Sequence, residues 1–137
     1  MIPAFGFRER AHTADWELEV WAPDLPMLLE QAARGMHSLS GLKLKDGPTQ
    51  EYQFELHARD AESLVVLFLT ELLWIEESVR MGFDHFTITV EDGYYLQANL
   101  RGQFIESLSK EIKAVTYHNL EVIQTSKGLS VKIVFDV

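Results

Sequence analysis

Apolar and polar residues alternate along several stretches of this chain. Residues 16–21 read Trp-Glu-Leu-Glu-Val-Trp, and residues 52–56 show the same alternation. A period of two is typical of a strand with one buried face. Residues 4–8 form a short strand candidate. Further strands are predicted over 83–90, 94–104, 112–123 and 129–137, with hairpin signals at Asp92-Gly93 and Lys127-Gly128.

Two segments have the periodicity of helices. The first begins after Asp24, a candidate N-cap, and ends near Gly41. The second follows Asp60, covers about residues 61–80, and is predicted to stop at Gly82. It is apolar on almost every side, which is typical of a central helix covered on both faces. The pattern therefore predicts an α+β fold, with two helices packed on an antiparallel or mixed β-sheet.

The length of 137 residues suits a single domain over 1–137, since a chain of this size can bury one core. The absence of cysteine excludes disulfides, thiol catalysis and Cys-ligated zinc. No apolar run is long enough to span a bilayer, so we expect no membrane partner and a cytoplasmic location.

The formal net charge of −9 argues against direct nucleic-acid binding, which needs clustered Lys and Arg. The negative charge is concentrated in residues 51–92, which hold ten acidic and two basic side chains. Either this segment forms a solvated acidic surface, or it docks a basic partner. Glu76 and Glu77 are the acidic pair by which we would test docking.

Three places carry candidate chemistry. In the first, His12-Thr13-Ala14-Asp15, the titratable residues His12 and Asp15 either form a functional pair in a loop or belong to a local turn. Residues 113–118, with Lys113 and His118, are either functional or an ordinary strand. Asp136 follows an apolar strand and is either a hard-oxygen metal ligand or part of a frayed terminus. The isolated histidines, His37 among them, are expected on the surface or on strands, and the three tryptophans in or beside the core.

Taken together, these segments resemble the archease family. The resemblance rests on residues 12–15, the helix over 28–36, the segment 69–73, the run Glu-Ile-Lys-Ala-Val-Thr-Tyr-His-Asn-Leu over 111–120, and the closing Phe-Asp-Val over 135–137. It covers nearly the whole chain, with its separated motifs in the family's order.

The resemblance implies a non-enzymatic activator of a GTP-dependent RNA ligase of the RtcB type. Such ligases act in tRNA splicing and RNA repair, and archeases promote guanylylation of the ligase and its multiple turnover. The resemblance also implies a site for calcium or another divalent cation at Asp15, Asp136 and the main-chain carbonyl of Val137. Lys113 would take part in ligase activation, and His12 and His118 would support the site.

Two alternatives remain open at this stage. A metal-dependent hydrolase would use His12, Asp15, His118 and Asp136 around a metal that activates water. A general chaperone-like module would bind many unrelated proteins rather than one ligase.

Overall fold

The computed structural model describes residues 2–10 and 15–137. Within them, nine strands and two helices form two antiparallel sheets. The strands are β1 (Gly6–Arg10), β2 (Trp16–Ala22), β3 (Lys43–Leu44), β4 (Gln50–His57), β5 (Met81–Glu91), β6 (Tyr95–Ser107), β7 (Ala114–Val115), β8 (Ile123–Thr125) and β9 (Gly128–Asp136). The helices are α1 (Leu25–Ser40) and α2 (Ala61–Ser78).

The first sheet has the order β1-β2-β9-β7, and β8 also pairs with β9. In the second sheet, β6 is central, with β3 and β4 along one edge and β5 along the other. Both helices lie between the sheets: α1 packs on β2 and on β5, and α2 contacts β4, β5 and β7. The α+β prediction is confirmed, although the strands form two separate sheets, all of whose pairings in the described residues are antiparallel.

The helix starts agree with the sequence. The side chain of Asp24 accepts a hydrogen bond from the Met27 N–H at 2.9 Å, and that of Asp60 accepts one from Ser63 at 2.7 Å. Both contacts satisfy amides that a helix start leaves without a partner. Gly41 ends α1 in the left-handed conformation, with φ 65°. These caps fix the starts of both helices and the end of α1.

The end of α2 differs from the prediction. The helix stops at Ser78, and Gly82, the expected stop, already lies within β5. The reversal occurs at Arg80, whose φ is 62° and whose N–H donates to the carbonyl of Ile75. The chain can therefore turn back without a glycine, because Arg80 itself adopts the left-handed conformation.

The predicted strand over 112–123 is also wrong. Only Ala114–Val115 and Ile123–Thr125 pair within it. The Thr116 hydroxyl donates to the Val134 carbonyl at 3.0 Å, and Asn119 has a positive φ of 51°. The Thr116 N–H donates to the same carbonyl at 3.0 Å, so the contact with β9 continues through Thr116, and the chain turns after it, where the Leu120 N–H donates to the Tyr117 carbonyl. β6 also differs from the prediction, since it continues to Ser107, three residues beyond the predicted end of the strand at 104.

The core fills the space between the sheets. Leu18, Ile133 and Phe135 of the first sheet are fully buried, as are Leu96 and Leu100 of the second. The helices contribute further fully buried side chains to this core, which include Leu28, Leu29, Met36, Leu64, Phe68, Leu69, Leu72 and Ile75. Because α2 is buried by both sheets, its expected central position is confirmed.

Gly102 marks a close approach of two strands, and its substitution tests the packing of the second sheet. A Cβ at Gly102 would overlap the carbonyl of Gly82 and lie 2.7 Å from Phe83 Cα. We expect Gly102→Ala to lower the free energy of unfolding by about 3 kcal/mol, since backbone cannot move aside cheaply. Urea denaturation would measure this change.

Gly35→Ala is the matched comparison. The Cβ at Gly35 would meet the Leu18 side chain, whose methyl groups can shift. Alanine also gains about 1 kcal/mol over glycine inside a helix, which offsets part of the clash. Equal losses for the two variants would contradict the proposed role of backbone packing at Gly102.

Candidate functional site

The pairing of β2 with β9 brings the two candidate ligand segments together. Trp16 pairs with Phe135 at the end of this antiparallel ladder. Continued by one residue, the register sets Asp15 opposite Asp136. Side chains alternate between the faces of a strand. Since Phe135 points into the core, Asp136 lies on the outer face, where it is exposed.

β7 adds a third segment to the same end of β9. Ala114 pairs with Asp136, and the Lys113 N–H donates to the Asp136 carbonyl at 2.8 Å. The end of β9 therefore lies between Asp15 on one side and residues 113–115 on the other. Two segments almost a hundred residues apart in the chain meet at one strand end.

The Lys113 side chain has a different surrounding from Asp136. Lys113 precedes Ala114, so its side chain projects toward the other face of the sheet. There it lines a groove of about 650 Å³ between α2 and residues 108–115. Leu73, Trp74 and Ile112 form its apolar walls. The backbone of Lys113 therefore lies at the same strand end as the aspartates, whereas its side chain faces this groove.

The two arginines of β1 are already paired with glutamates of β2. Arg8 donates to Glu19 at 3.1 Å, and Arg10 contacts both Glu19 at 2.9 Å and Glu17 at 3.4 Å. The hydrogen bond from Arg8, together with that from Arg10, holds the pKa of Glu19 below its ordinary value. Neither Asp15 nor Asp136 takes part in an ion pair within the described residues.

The other expected site residues are placed as follows. His118 is exposed on the turn after β7; its N–H donates to Thr116 Oγ1 at 3.3 Å, and its Nε2 lies 3.3 Å from Asn119 Nδ2. The side chain of Val137 is half-buried against the core, which leaves its main chain as the source of oxygen ligands. His12 lies outside the described residues, as does the rest of segment 11–14.

The donor chemistry at this strand end fits a hard cation in type. Two opposed carboxylates repel each other, and a divalent ion would remove that penalty. Carboxylate and carbonyl oxygens are the ligands preferred by calcium, which takes six to eight of them. In residues 2–10 and 15–137, no group of three or more His, Asp or Glu side chains is arranged to hold a metal. Further ligands would have to be carbonyls or water, or come from residues 11–14.

Three features of this region were not predicted. Trp74, expected in or beside the core, is 51% exposed at the groove, whereas Glu76, expected on the acidic surface, is buried. Lys110 places its Nζ 3.8 Å from the centre of the Trp16 ring, beside Asp15. The one signal for the exposure of Trp74 is its spacing in the helix. Trp74 falls seven residues after Leu67, which is also exposed, so the two residues lie on the same helical stripe.

The fold and this strand end define a small α+β protein with two helices between antiparallel sheets and an aspartate next to each strand where β2 and β9 end together. The sequence profile of the archease protein family matches residues 7–137. The chain therefore belongs to the archease family.

Individual relatives agree with this assignment. The protein archease of Methanosarcina barkeri is 33% identical over 135 residues, which cover 92% of each chain. That of Archaeoglobus fulgidus is 31% identical over 130 residues, covering 92% of this chain and 95% of the relative.

Solved structures share the fold. An archease from Thermotoga maritima, described as a possible chaperone, superposes with a TM-score of 0.68 at 26% identity, covering 95% of this chain and 96% of that one. Methanobacterium thermoautotrophicum protein 1598 gives a TM-score of 0.70 at 22% identity, with coverage of 96% and 99%. In the part of the chain described here, no helix combines the length and hydropathy that a membrane span requires.

The position of Lys113 generates a test that separates its side chain from its backbone. The side chain is exposed, while the N–H carries the bond to Asp136. Lys113→Ala keeps that bond, so we expect its free energy of unfolding to stay within about 0.5 kcal/mol of wild type. Thermal unfolding followed by circular dichroism would check this. A loss of several kcal/mol would show that the Lys113 side chain is structural.

Proposed function

We propose that this chain activates a GTP-dependent RNA ligase of the RtcB type by promoting its guanylylation and multiple turnover in tRNA splicing and RNA repair. Membership of the archease family supports the proposal, as does the strand register, whose last pair, Trp16 with Phe135, adjoins Asp15 and Asp136. The register is the observation that carries it, because it brings together two of the motifs on which the resemblance to that family rests.

In this proposal the chain is a protein cofactor rather than an enzyme. Asp15, Asp136 and the Val137 carbonyl bind calcium or another divalent cation, which supplies charge and holds the ends of β2 and β9 together. Lys113 acts on the ligase from the adjacent groove, and His12 and His118 support the site. The net charge of −9 leaves RNA binding to the ligase, in the cytoplasm.

The ligation reaction tests this function. Purified cognate ligase would be given excess RNA ends, with and without this protein, while ligated product and guanylylated ligase are measured. We expect wild type to raise the number of turnovers, and Asp15→Asn or Asp136→Asn to reduce the effect on the order of tenfold or more, as loss of a metal-supporting group does. Lys113→Ala should lose the effect while retaining its fold.

Asp92→Asn is the matched control, because Asp92 lies in the exposed turn between β5 and β6, away from the terminal strands. It should activate like wild type. The proposed function fails if wild type leaves both turnover and guanylylation unchanged. RNA or nucleotide hydrolysis by this protein alone would favour the hydrolase instead.

The cation site has its own test. Calcium should raise the unfolding temperature of wild type, since a ligand at about a hundred times its Kd stabilises the folded state by about 2.7 kcal/mol. A chelator should reverse this shift. Asp136→Asn should abolish it and, without calcium, be at least as stable as wild type, because opposed carboxylates no longer repel. An unchanged calcium shift in Asp136→Asn would remove Asp136 from the site.

A second candidate function is a chaperone-like binding module. The description of the Thermotoga maritima archease as a possible chaperone favours it. Suppression of aggregation of unrelated unfolded proteins, equal for wild type and the two aspartate variants, would support this function over ligase activation.

A further inference from the structure

His37 and Glu76 form a buried pair between the two helices. His37 lies near the end of α1 and Glu76 near the end of α2, and their exposed fractions are 9% and 6%. The His37 Nε2 atom is 3.4 Å from Glu76 Oε1. The pair is therefore located where the helices pack against each other.

Neither of these atoms has another partner within the described residues. Both Nε2 and Oε1 are inaccessible to solvent, and neither has a hydrogen-bond partner, because the 3.4 Å contact between them is itself not aligned as a hydrogen bond. A buried polar atom without a partner costs free energy, and an unpaired buried charge costs more. The arrangement is favourable when one proton lies between the two atoms, donated by the carboxyl oxygen to the imidazole nitrogen.

The charged groups that the structure describes around the pair do not bind either of its two atoms. The pair therefore avoids a buried charge only when both His37 and Glu76 are neutral. On α1, Arg34 lies near His37 but places its guanidinium over the Phe86 ring at 5.0 Å and donates to the Asp84 carbonyl of β5. Beyond α2, Arg80 is the cation near Glu76. The backbone of Phe83 in β5 is the other group that acts on His37. A neutral imidazole has one acceptor nitrogen, and the proposed contact assigns that role to Nε2.

The remaining charges near the pair lie further out. Glu30 is paired with Arg34 at 3.1 Å, and Asp84 with His85 at 2.9 Å on β5. Glu77 of α2 and the three charged residues of the facing segment, Lys110, Glu111 and Lys113, line the groove. None of them forms an ion pair with His37 or Glu76 among the described residues.

The titration behaviour agrees with this geometry. Burial, and to a smaller extent the charge of Arg34, lower the pKa of His37 to about 4, against the opposing effect of the Phe83 backbone. Burial raises the pKa of Glu76 to about 7, although Arg80 opposes the shift. Just below neutrality, the imidazole is therefore uncharged and the carboxyl is protonated.

The pair is connected to the groove beside Lys113. Glu76 itself lines that groove, and α2 forms one wall of it. The other wall, residues 108–115, is attached to α1, because the Ser40 carbonyl accepts bonds from Ser109 at 2.9 Å and Lys110 at 3.0 Å. A change in the separation of α1 and α2 therefore changes the distance between the two walls.

We propose that His37 and Glu76 form a proton switch that sets the width of the groove between α2 and residues 108–115. With the proton in place, Glu76 bonds to His37 and keeps the helices together. When the proton leaves to solvent, a buried carboxylate faces the Nε2 lone pair, the contact becomes repulsive, and the groove opens. The inference does not depend on the proposed ligase activation.

Stability gives the direction of the effect. Because the pKa of Glu76 is raised, its contribution to stability falls as pH rises from about 4.5 toward 7. The lowered pKa of His37 acts in the opposite sense, and stability is lost as pH falls from 6.5 toward 4. The two slopes oppose each other in wild type. Glu76→Gln removes the first, so stability should rise from pH 4 to 6.5 and then stay level.

The direct test is an NMR titration of the whole protein between pH 5.5 and about 8.5, a range that brackets the raised pKa of Glu76. In wild type, the amides of Leu73, Trp74, Ile112 and Lys113 should shift together with one midpoint near 7. Glu76→Gln keeps a donor toward His37 but cannot ionise, so the common transition should vanish. Glu77→Gln removes a neighbouring exposed carboxylate and should leave it intact.

Two results would overturn the proposal. The first is a failure of the amide titration: either the groove amides of wild type show no shared transition, or the transition persists in Glu76→Gln.

The second result comes from the wild-type protein alone, and so does not require the variant to fold. Ring nitrogen shifts should show His37 neutral, with Nε2 unprotonated, from pH 5.5 to 8.5; a protonated Nε2 at pH 6 would contradict the switch.

Discussion

The antiparallel pairing of β2 with β9 is the interaction on which the other features depend. It joins a strand near the start of the chain to the strand that ends it, and both bury their inner faces against the helices. Side chains alternate along a strand, so a shift of this register by one residue would move Leu18 and Ile133 out of the core. The burial of these side chains therefore also determines that Asp15 is opposite Asp136.

The second consequence of this arrangement concerns the helices. Because a sheet covers each side of the helical layer, the α1–α2 contact has little access to water, and polar groups there need each other as partners. His37 and Glu76 are such partners. Through the attachment of residues 108–110 to the end of α1, their contact reaches the same region of the molecule that contains Lys113. The proposed cation site and the groove thus lie on the two faces of one strand end.

Local chemistry allowed much of the fold to be predicted. The caps at Asp24 and Asp60, the alternation of β2 and the turn at Asp92-Gly93 depend on neighbouring residues alone. The predicted strand over 112–123 failed because the chain turns at residues 117–120, where Asn119 has a positive φ that periodicity does not reveal. The division into two sheets, likewise, depends on long-range pairing.

The site was predictable only in part. A register between strands over a hundred residues apart has no local signal, so the proximity of Asp15 and Asp136 came from the family resemblance. Glu76 illustrates the opposite difficulty, since its charge suggested exposure. Its burial follows from the packing of α1 against α2, which a single sequence does not display.

Terbium luminescence would show whether the adjoining ends of β2 and β9 bind a cation, as we propose. Terbium prefers the same oxygen ligands as calcium and is excited by energy transfer from a nearby indole; Trp16 is next to Asp15. We expect luminescence that calcium displaces, that Trp16→Phe and Asp136→Asn abolish, and that Trp74→Phe preserves. Luminescence unaffected by Asp136→Asn and Trp16→Phe would contradict a cation site at this strand end.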